Sequence, residues 1–413
     1  MLKKTLARII LLLVALGPAA LAADRYLIRV APSRIGDVVA RHGLTLLRTL
    51  QGSATGLYSV QASPGTDPRL IAADTSVQSL EADGLLFLPE ATPDFSRQAS
   101  TQVNGLGAPT AVNFNGVQAL GAYVNQPAGS AIQLAGSRYI ATGAGAVVAV
   151  LDTGVDPNHP VLKNSLVAGW DFTRNVAGGS EMADLSQSTT AILDQSTTAI
   201  LDTSKLPADF GHGTMVAGLV HLVAPGAKIM PVKVFTSAGS TTMSEIVAGI
   251  HWAVDNGADV INMSFSSAQG SAALRDAIGY ATDNGVICVA AAGNDGQNIV
   301  VYPAAYNVIG VGSTNDSMVR SSFSNYGSDV DLAAPGEGDI TLYPGNNYAA
   351  GWGTSFSAPL VAGGAALLVQ LGSNTNESQA AQALSQAIPI GQQLGAGELD
   401  LVWACSYRTW HAN

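Results

Sequence analysis

The sequence predicts an α/β fold built on a doubly wound, mostly parallel sheet, and three observations carry that prediction. Five runs rich in Val and Ile lack polar alternation: AVVAVL (146–151), KIMPVKVF (228–235), DVINMSF (259–265), VICVAAA (286–292) and VIGVGS (308–313). Such runs suit parallel strands covered on both faces. Helical stretches lie between them, MVAGLVHL (215–222), SEIVAGIHWAVDNG (244–257) and SAALRDAIGYATDNG (271–285), the last two ending in Asp-Asn-Gly, a natural helix stop. The composition agrees: 47% apolar, 12% charged and 45 Gly fit a large core with many tight turns and argue against global disorder.

Taken in order, residues 1–22 read as an export signal. Lys3, Lys4 and Arg8 precede an apolar stretch from Ile9 to Leu16, and Ala20-Leu21-Ala22 forms a small-x-small cleavage site. The apolar run is shorter than the ~20 residues a spanning helix needs. Removing the segment takes the net charge from −11 to −14, a balance that does not favour nucleic acid or anionic membrane. Two cysteines, Cys288 and Cys405, cannot make a disulfide scaffold. One bridge between them is open in an oxidising compartment, as is a pair of free thiols.

Residues 24–90 read as a small module of order β-α-β-β-α-β, the ferredoxin-like plan. Its strands are YLIRV (26–30), LTLLRTL (44–50), LYSVQA (57–62) and SVQSLEAD (76–83), with helices at 35–40 and 68–73. Residues 91–125, rich in Ala, Thr, Gln, Asn, Gly and Ser, have linker composition. QSTTAILD occurs at 187–194 and again at 195–202, which reads as a duplicated surface loop. Residues 373–413 read as a helix from Glu377 to Ile388 followed by an irregular tail.

Three segments place a reactive residue type at an element end. Asp152 ends the strand VVAVL, His212 precedes the helix that starts near Met215, and Ser355 opens the apolar helix that ends near Leu371, with Pro359 expected in its first turn. Singly, each is ordinary: a turn Asp, a loop His, a capping Ser. Together they meet the needs of peptide hydrolysis. A serine hydroxyl is a weak nucleophile near neutral pH, an imidazole must take and return its proton, and a carboxylate must orient that imidazole. A serine at a helix N-terminus also has backbone N–H groups and the positive dipole end beside it, where an oxyanion develops.

The chain order Asp, His, Ser and its surroundings resemble the subtilisin family. The matching stretches are VAVLDTGVDPNHP (148–160), GHGTMVAG (211–218), VAPGAKIMPVKV (223–234), DVINMS (259–264) and VAAAGNDG (289–296). YPAAYNVIGVGS (302–313), SSFSNYG (321–327), LAAPG (332–336) and GTSFSAPLVAGGAALL (353–368) continue the match, which runs from about 115 to 372. The resemblance implies a subtilisin-like peptidase domain over 126–413. It makes Asp152 the orienter, His212 the general base and acid, Ser355 the nucleophile and Asn294 the side-chain donor of the oxyanion hole. Ser264, Phe265 and Ser266, with Ala291, Ala292 and Gly293, would supply backbone pairing and pocket walls for an extended polypeptide substrate. Residues 23–90 would be a propeptide and partner of the enzyme's own groove, cut off somewhere in 91–125.

Departures from the family pattern carry expectations of their own. FSS at 265–267 replaces the common LGG, and Val301 stands where Gly usually precedes Tyr-Pro, which predicts a narrow pocket and small P1 residues. Leu360 replaces a usual His, a change for packing. Val161 replaces a common acidic residue, and the loop that would hold calcium after the histidine helix is missing, so no cofactor is expected, with calcium at Asp156, Asp194 or Asp202 left as the open alternative. Asp156, Asp194 and Asp202 read as solvated loop carboxylates, and His42, His159, His221, His251 and His411 show no metal-ligand spacing. A soluble monomer, extracellular or periplasmic, is expected. Three alternatives stay open: a pseudoprotease that only binds, a hydrolase or transferase acting on an ester or a small amide, and an exported interaction domain. Labelling of Ser355 by a fluorophosphonate separates the first and third from the rest.

Overall fold

The computed structural model describes residues 24–50, 56–88, 100–102, 110–185, 206–372, 374–391 and 393–411. The expected export signal, most of the 91–109 stretch and the QSTTAILD duplication lie outside the described residues, as do Asp194 and Asp202.

The N-terminal module has β1 (Arg25–Val30), a helix Ile35–His42, β2 (Thr45–Thr49), β3 (Leu57–Gln61), a helix Pro68–Ala72 and β4 (Val77–Ala82). Its sheet runs β2-β3-β1-β4 with antiparallel pairs, the order the ferredoxin-like plan requires. Strand alternation explains how it packs. Ile28, Val30, Tyr58 and Val60 face Val38 and Ile71 to form the module's own core. Leu27 and Leu57, on the opposite face, join the apolar cluster of the larger domain with Met243 and Val247.

After β5 (Leu85–Phe87) and β6 (Ser100–Gln102), the sequence reading needs a correction. Residues 110–125 are not linker: β7 (Ala111–Phe114) and β8 (Val117–Leu120) form a hairpin, followed by a helical turn Gly121–Val124. The turn is Asn115-Gly116, both at positive φ (49° and 83°), the geometry that a two-residue hairpin loop demands. Phe114, Ala119 and Tyr123 are buried in the main core.

The central sheet comprises β9 (Val147–Asp152), β10 (Trp170–Asp171), β11 (Val176–Ala177), β12 (Lys228–Lys233), β14 (Val260–Met263), β15 (Ile287–Ala291), β16 (Ile309–Thr314) and β17 (Leu332–Pro335). Their order is β11-β10-β12-β9-β14-β15-β16-β17, parallel throughout except for the β10–β11 pair at one edge. Val148 and Val150 face one layer, with helices His212–Val223 and Thr354–Leu371. Ala149 and Leu151 face the other, with helices Met243–Asp255 and Ala272–Asp283. Both faces are covered, which is why the strands are apolar without alternation. The Thr354–Leu371 helix is the one described helix long and apolar enough to cross a membrane, and it is buried in this core.

Outside the central sheet, β13 (Ser240–Thr242) pairs antiparallel with β5, and β18 (Glu337–Tyr343) and β19 (Asn347–Trp352) form a hairpin whose free edge takes β6. Two further readings change, and the open cysteine question is settled. Pro359 lies in the second turn of its helix, not the first. The tail is not irregular: Leu401–Trp410 is a helix with Asp400 as its side-chain N-cap and Leu401, Ala404, Cys405 and Arg408 on its buried face. Cys288 and Cys405 are both free and buried, so no bridge joins them.

Candidate active site

Asp152 is the last residue of β9, at the carboxyl end of the sheet where open α/β sheets place their sites. Its Oδ1 accepts the Thr153 N–H at 2.7 Å and lies 2.8 Å from His212 Nδ1. His212 is the first residue of its helix, 5% exposed, while Asp152 and Ser355 are fully buried. With Nδ1 donating to the carboxylate, Nε2 is the nitrogen left to take a proton. The imidazole packs against the ring of Phe356, centroids 5.5 Å apart, and Phe356 directly follows Ser355.

Ser355 is the second residue of the Thr354–Leu371 helix, beyond Gly353 at φ 145°, a conformation that a side chain would strain. Its hydroxyl donates to the Ser264 carbonyl at 3.1 Å. Pro359 has no N–H to give the Ser355 carbonyl four residues earlier. The Ser264 hydroxyl fills that role at 2.8 Å, itself held by Asn262 Nδ2 at 2.9 Å. Asn294 Oδ1 accepts both the N–H and the hydroxyl of Thr354 at 2.9 Å each, which fixes the amide with Nδ2 on the side away from Thr354.

The predicted substrate residues flank this centre. Ser264, Phe265 and Ser266 continue from β14, and the Phe265 ring is buried against Phe235 at 5.4 Å. Ala291, Ala292 and Gly293 end β15, but their backbone is already engaged. The Ala292 N–H donates to Val311 and its carbonyl accepts from Asn325, while the Gly293 N–H donates to the Thr354 hydroxyl at 3.1 Å. Those backbone groups are therefore engaged within the protein, a correction to the expected pairing there. The slot between the two segments is tight: a Cβ on Gly293 would stand 3.1 Å from Ser266 Oγ. Behind it, Ser267 and Tyr302 exchange two backbone hydrogen bonds of 2.8 Å, and Val301 is buried with Phe265 and Ala304.

Asp156 is not a solvated carboxylate. It is buried, its Oδ1 capping the Asn158 N–H and its Oδ2 the Gly345 N–H. His221 and His251 are buried as well, and burial pushes both imidazoles down to about 4. Val161 and Leu360 are buried packing residues. Among the described residues no group of three or more His, Cys, Asp or Glu could hold a metal ion.

Sequence reasoning missed the supporting residues. Thr153, Thr214, Glu181 and Lys233 brace the Asp152–His212 pair from behind, and Thr354 anchors Asn294. Thr153, Thr214 and Thr354 stand beside residues that were singled out and could have been suspected. Glu181, in an irregular stretch with no period, gave no signal.

A model described as the subtilase family matches residues 143–399, well over half of the chain. Thermitase of Thermoactinomyces vulgaris is 39% identical over 253 residues, 59% of this chain and 81% of thermitase. Subtilisin DY of Bacillus licheniformis is 40% identical over 257 residues, 59% of this chain and 83% of the relative. A crystal structure of a cold adapted subtilisin-like serine proteinase aligns with TM-score 0.53 and 32% identity over 63% of this chain and 89% of that one. Fervidolysin from Fervidobacterium pennivorans aligns over 95% of this chain and 62% of its own, with TM-score 0.73 and 23% identity, a likeness of fold. The chain belongs to the subtilase family and is a serine-type endopeptidase.

Proposed function

We propose that Ser355, His212, Asp152 and Asn294 are the residues through which this endopeptidase cleaves polypeptides by way of an acyl-enzyme. The observation that carries the reading is the 2.8 Å contact of Asp152 with His212, whose ring lies on the residue next to Ser355. In this scheme His212 Nε2 takes the Ser355 hydroxyl proton as Oγ attacks the scissile carbonyl, then returns it to the departing amine. Asp152 keeps the imidazole in the tautomer that makes this transfer possible and stabilises its cationic form. The oxyanion is met by the Ser355 N–H at the head of its helix and by Asn294 Nδ2, on the side of the amide away from the two bonds to Thr354. The scheme uses no cofactor and no metal.

The tight Ser266–Gly293 slot and the Ser267–Tyr302 closure support small P1 side chains. Val301, filling space that a glycine would leave open, supports the same preference.

The same reading makes residues 1–22 an export signal, places the mature enzyme outside the cytoplasm as a monomer, and makes residues 23–90 a propeptide. The docking of that module supports the last point. Asp83 caps the Met243–Asp255 helix by accepting the Ser244 N–H at 2.8 Å, and Glu81 accepts the Ala272 N–H at 2.9 Å at the head of the next helix. β5 pairs with β13, and β6 pairs with β19, which leads into Ser355. The processing bond is proposed between Leu88 and Ser100. A fluorophosphonate probe tests the catalytic reading: it should label the wild type and not Ser355→Ala. Equal labelling of both would sink it.

A further inference from the structure

Behind the Asp152–His212 pair lies a group for which the scheme above has no use. Glu181 is fully buried on a short 3₁₀ turn, Glu181–Asp184, that belongs neither to the strand carrying Asp152 nor to the helix carrying His212. Its carboxylate accepts the Gly211 N–H at 2.8 Å, the Thr153 hydroxyl at 3.2 Å and the Thr214 hydroxyl. Gly211 precedes His212, Thr214 follows it by two residues, and Thr153 follows Asp152. One side chain thus touches both segments that deliver the pair.

The direction of the protons is fixed. The Thr153 hydroxyl already accepts the Gly213 N–H at 2.9 Å, and the Thr214 hydroxyl accepts the Asp156 N–H at 2.8 Å. Each hydroxyl therefore turns its own proton toward Glu181, and the carboxylate is the acceptor that satisfies all three donors. The turn itself is anchored. Asp184 holds the buried ammonium of Lys233 at 2.7 Å, and Lys233 donates to the Thr153 carbonyl at 2.6 Å.

We infer that Glu181 is a positioning residue of the peptidase reaction, a carboxylate clamp that ties the Asp152 segment to the His212 segment and holds the pair in register. The inference rests on the roles proposed for Asp152 and His212. Burial pushes the Glu181 carboxyl up to about 8, opposed by the hydrogen bonds from Thr214 and Gly211 and by the charge of Lys233, with Asp152 adding to the rise. The charged or titratable groups around it are Asp152 on β9, Lys233 on β12, Tyr343 on β18, His212, and Asp184 on its own turn. Completion of the clamp therefore adds an ionisation on the neutral-to-alkaline side of the activity profile.

The test is Glu181→Gln in the full chain, read as kcat, KM and their pH dependence beside the thermal midpoint. A carboxamide cannot accept from all three donors, and one of its N–H groups would face a donor. Since a misplacement of about 1 Å can cost ~10²-fold, kcat should fall about tenfold or more, with KM changed less than about twofold. The profile should also lose its upper ionisation. A lowered midpoint with unchanged kcat and unchanged profile would overturn the inference. If Glu181→Gln yields no folded protein, Thr214→Val against Thr214→Ser makes the same test: the valine should lose kcat and the serine keep it, and equal kcat would overturn the inference. Ser355→Ala and His212→Ala run alongside. Activity in those would fail the site assignment itself, whereas their inactivity with a neutral Glu181→Gln would fail the clamp alone.

Discussion

Ser264 and Ser355 hold each other by exchanged hydrogen bonds: the Ser264 hydroxyl donates to the Ser355 carbonyl at 2.8 Å, and the Ser355 hydroxyl donates to the Ser264 carbonyl at 3.1 Å. Pro359 makes the first bond necessary, because the helical donor for that carbonyl is absent. Ser264→Ala should leave a buried acceptor unsatisfied, at a cost of about 1–3 kcal/mol. Thermal melts of the variant should show the loss, and kcat should fall with it as the head of the Ser355 helix loosens. A variant with unchanged midpoint and kcat would remove the bond from the account.

Glu398 gives a pH prediction. It is fully buried with its Oε2 accepting from the Thr314 hydroxyl at 2.7 Å, and burial pushes it up to about 7. Asp339 nearby is raised well above its ordinary value, first by burial and then by neighbouring acids. A carboxyl that binds its proton more tightly folded than unfolded costs stability as pH rises, at about 1.4 kcal/mol per unit between its unfolded and folded values. For Glu398 that window runs from 4.5 to about 7. Glu398→Gln should therefore gain on the wild type across this range and keep the gain above it. Melts at pH 5 and pH 8 check this, and an equal difference at both would contradict it.

His221 gives the opposite sign. It lies edge-on to Phe114 at 5.5 Å, neutral, with its pKa lowered to about 4 by burial, helped by the charge of Arg138. Its unfolded form binds a proton near 6.5, so its contribution is present above that value and is lost as pH falls toward 4. His221→Leu should flatten the acid limb of the stability curve, measured by calorimetry from pH 4 to 7. An unchanged limb would show that other groups set it.

The narrow slot between Ser266 and Gly293 predicts faster cleavage after Ala than after Phe. Matched peptides differing only at P1 would decide it, and equal or better rates with Phe would refute it.

Ser355→Ala should keep the N-terminal module attached, while the wild type should begin between Leu88 and Ser100. Intact mass and N-terminal sequencing of both report this together. A wild-type terminus beyond Thr110 would contradict the packing of Phe114 and Tyr123 in the core.

Much of this architecture was legible in the sequence. The Val and Ile runs marked five sheet strands, and the ends of three elements marked Asp152, His212 and Ser355. The hairpin at Asn115-Gly116 had a turn signal that composition overshadowed, and the Leu401–Trp410 helix had apolar residues at 401, 404 and 405 with Asp400 before it. Glu181 was not legible. A buried acid in an irregular turn shows its role only when Gly211, Thr153 and Thr214 are seen around it.

The central claim is that one imidazole and one hydroxyl work as a unit. Its most direct measurement is kcat/KM on one peptide for Ser355→Ala, His212→Ala and the double variant. Residues acting as a unit are grossly non-additive, so each single change should cost about as much as both together, a loss of ~10⁶-fold in subtilisin itself. Losses that add, or a Ser355→Ala enzyme that still turns over, would contradict the account.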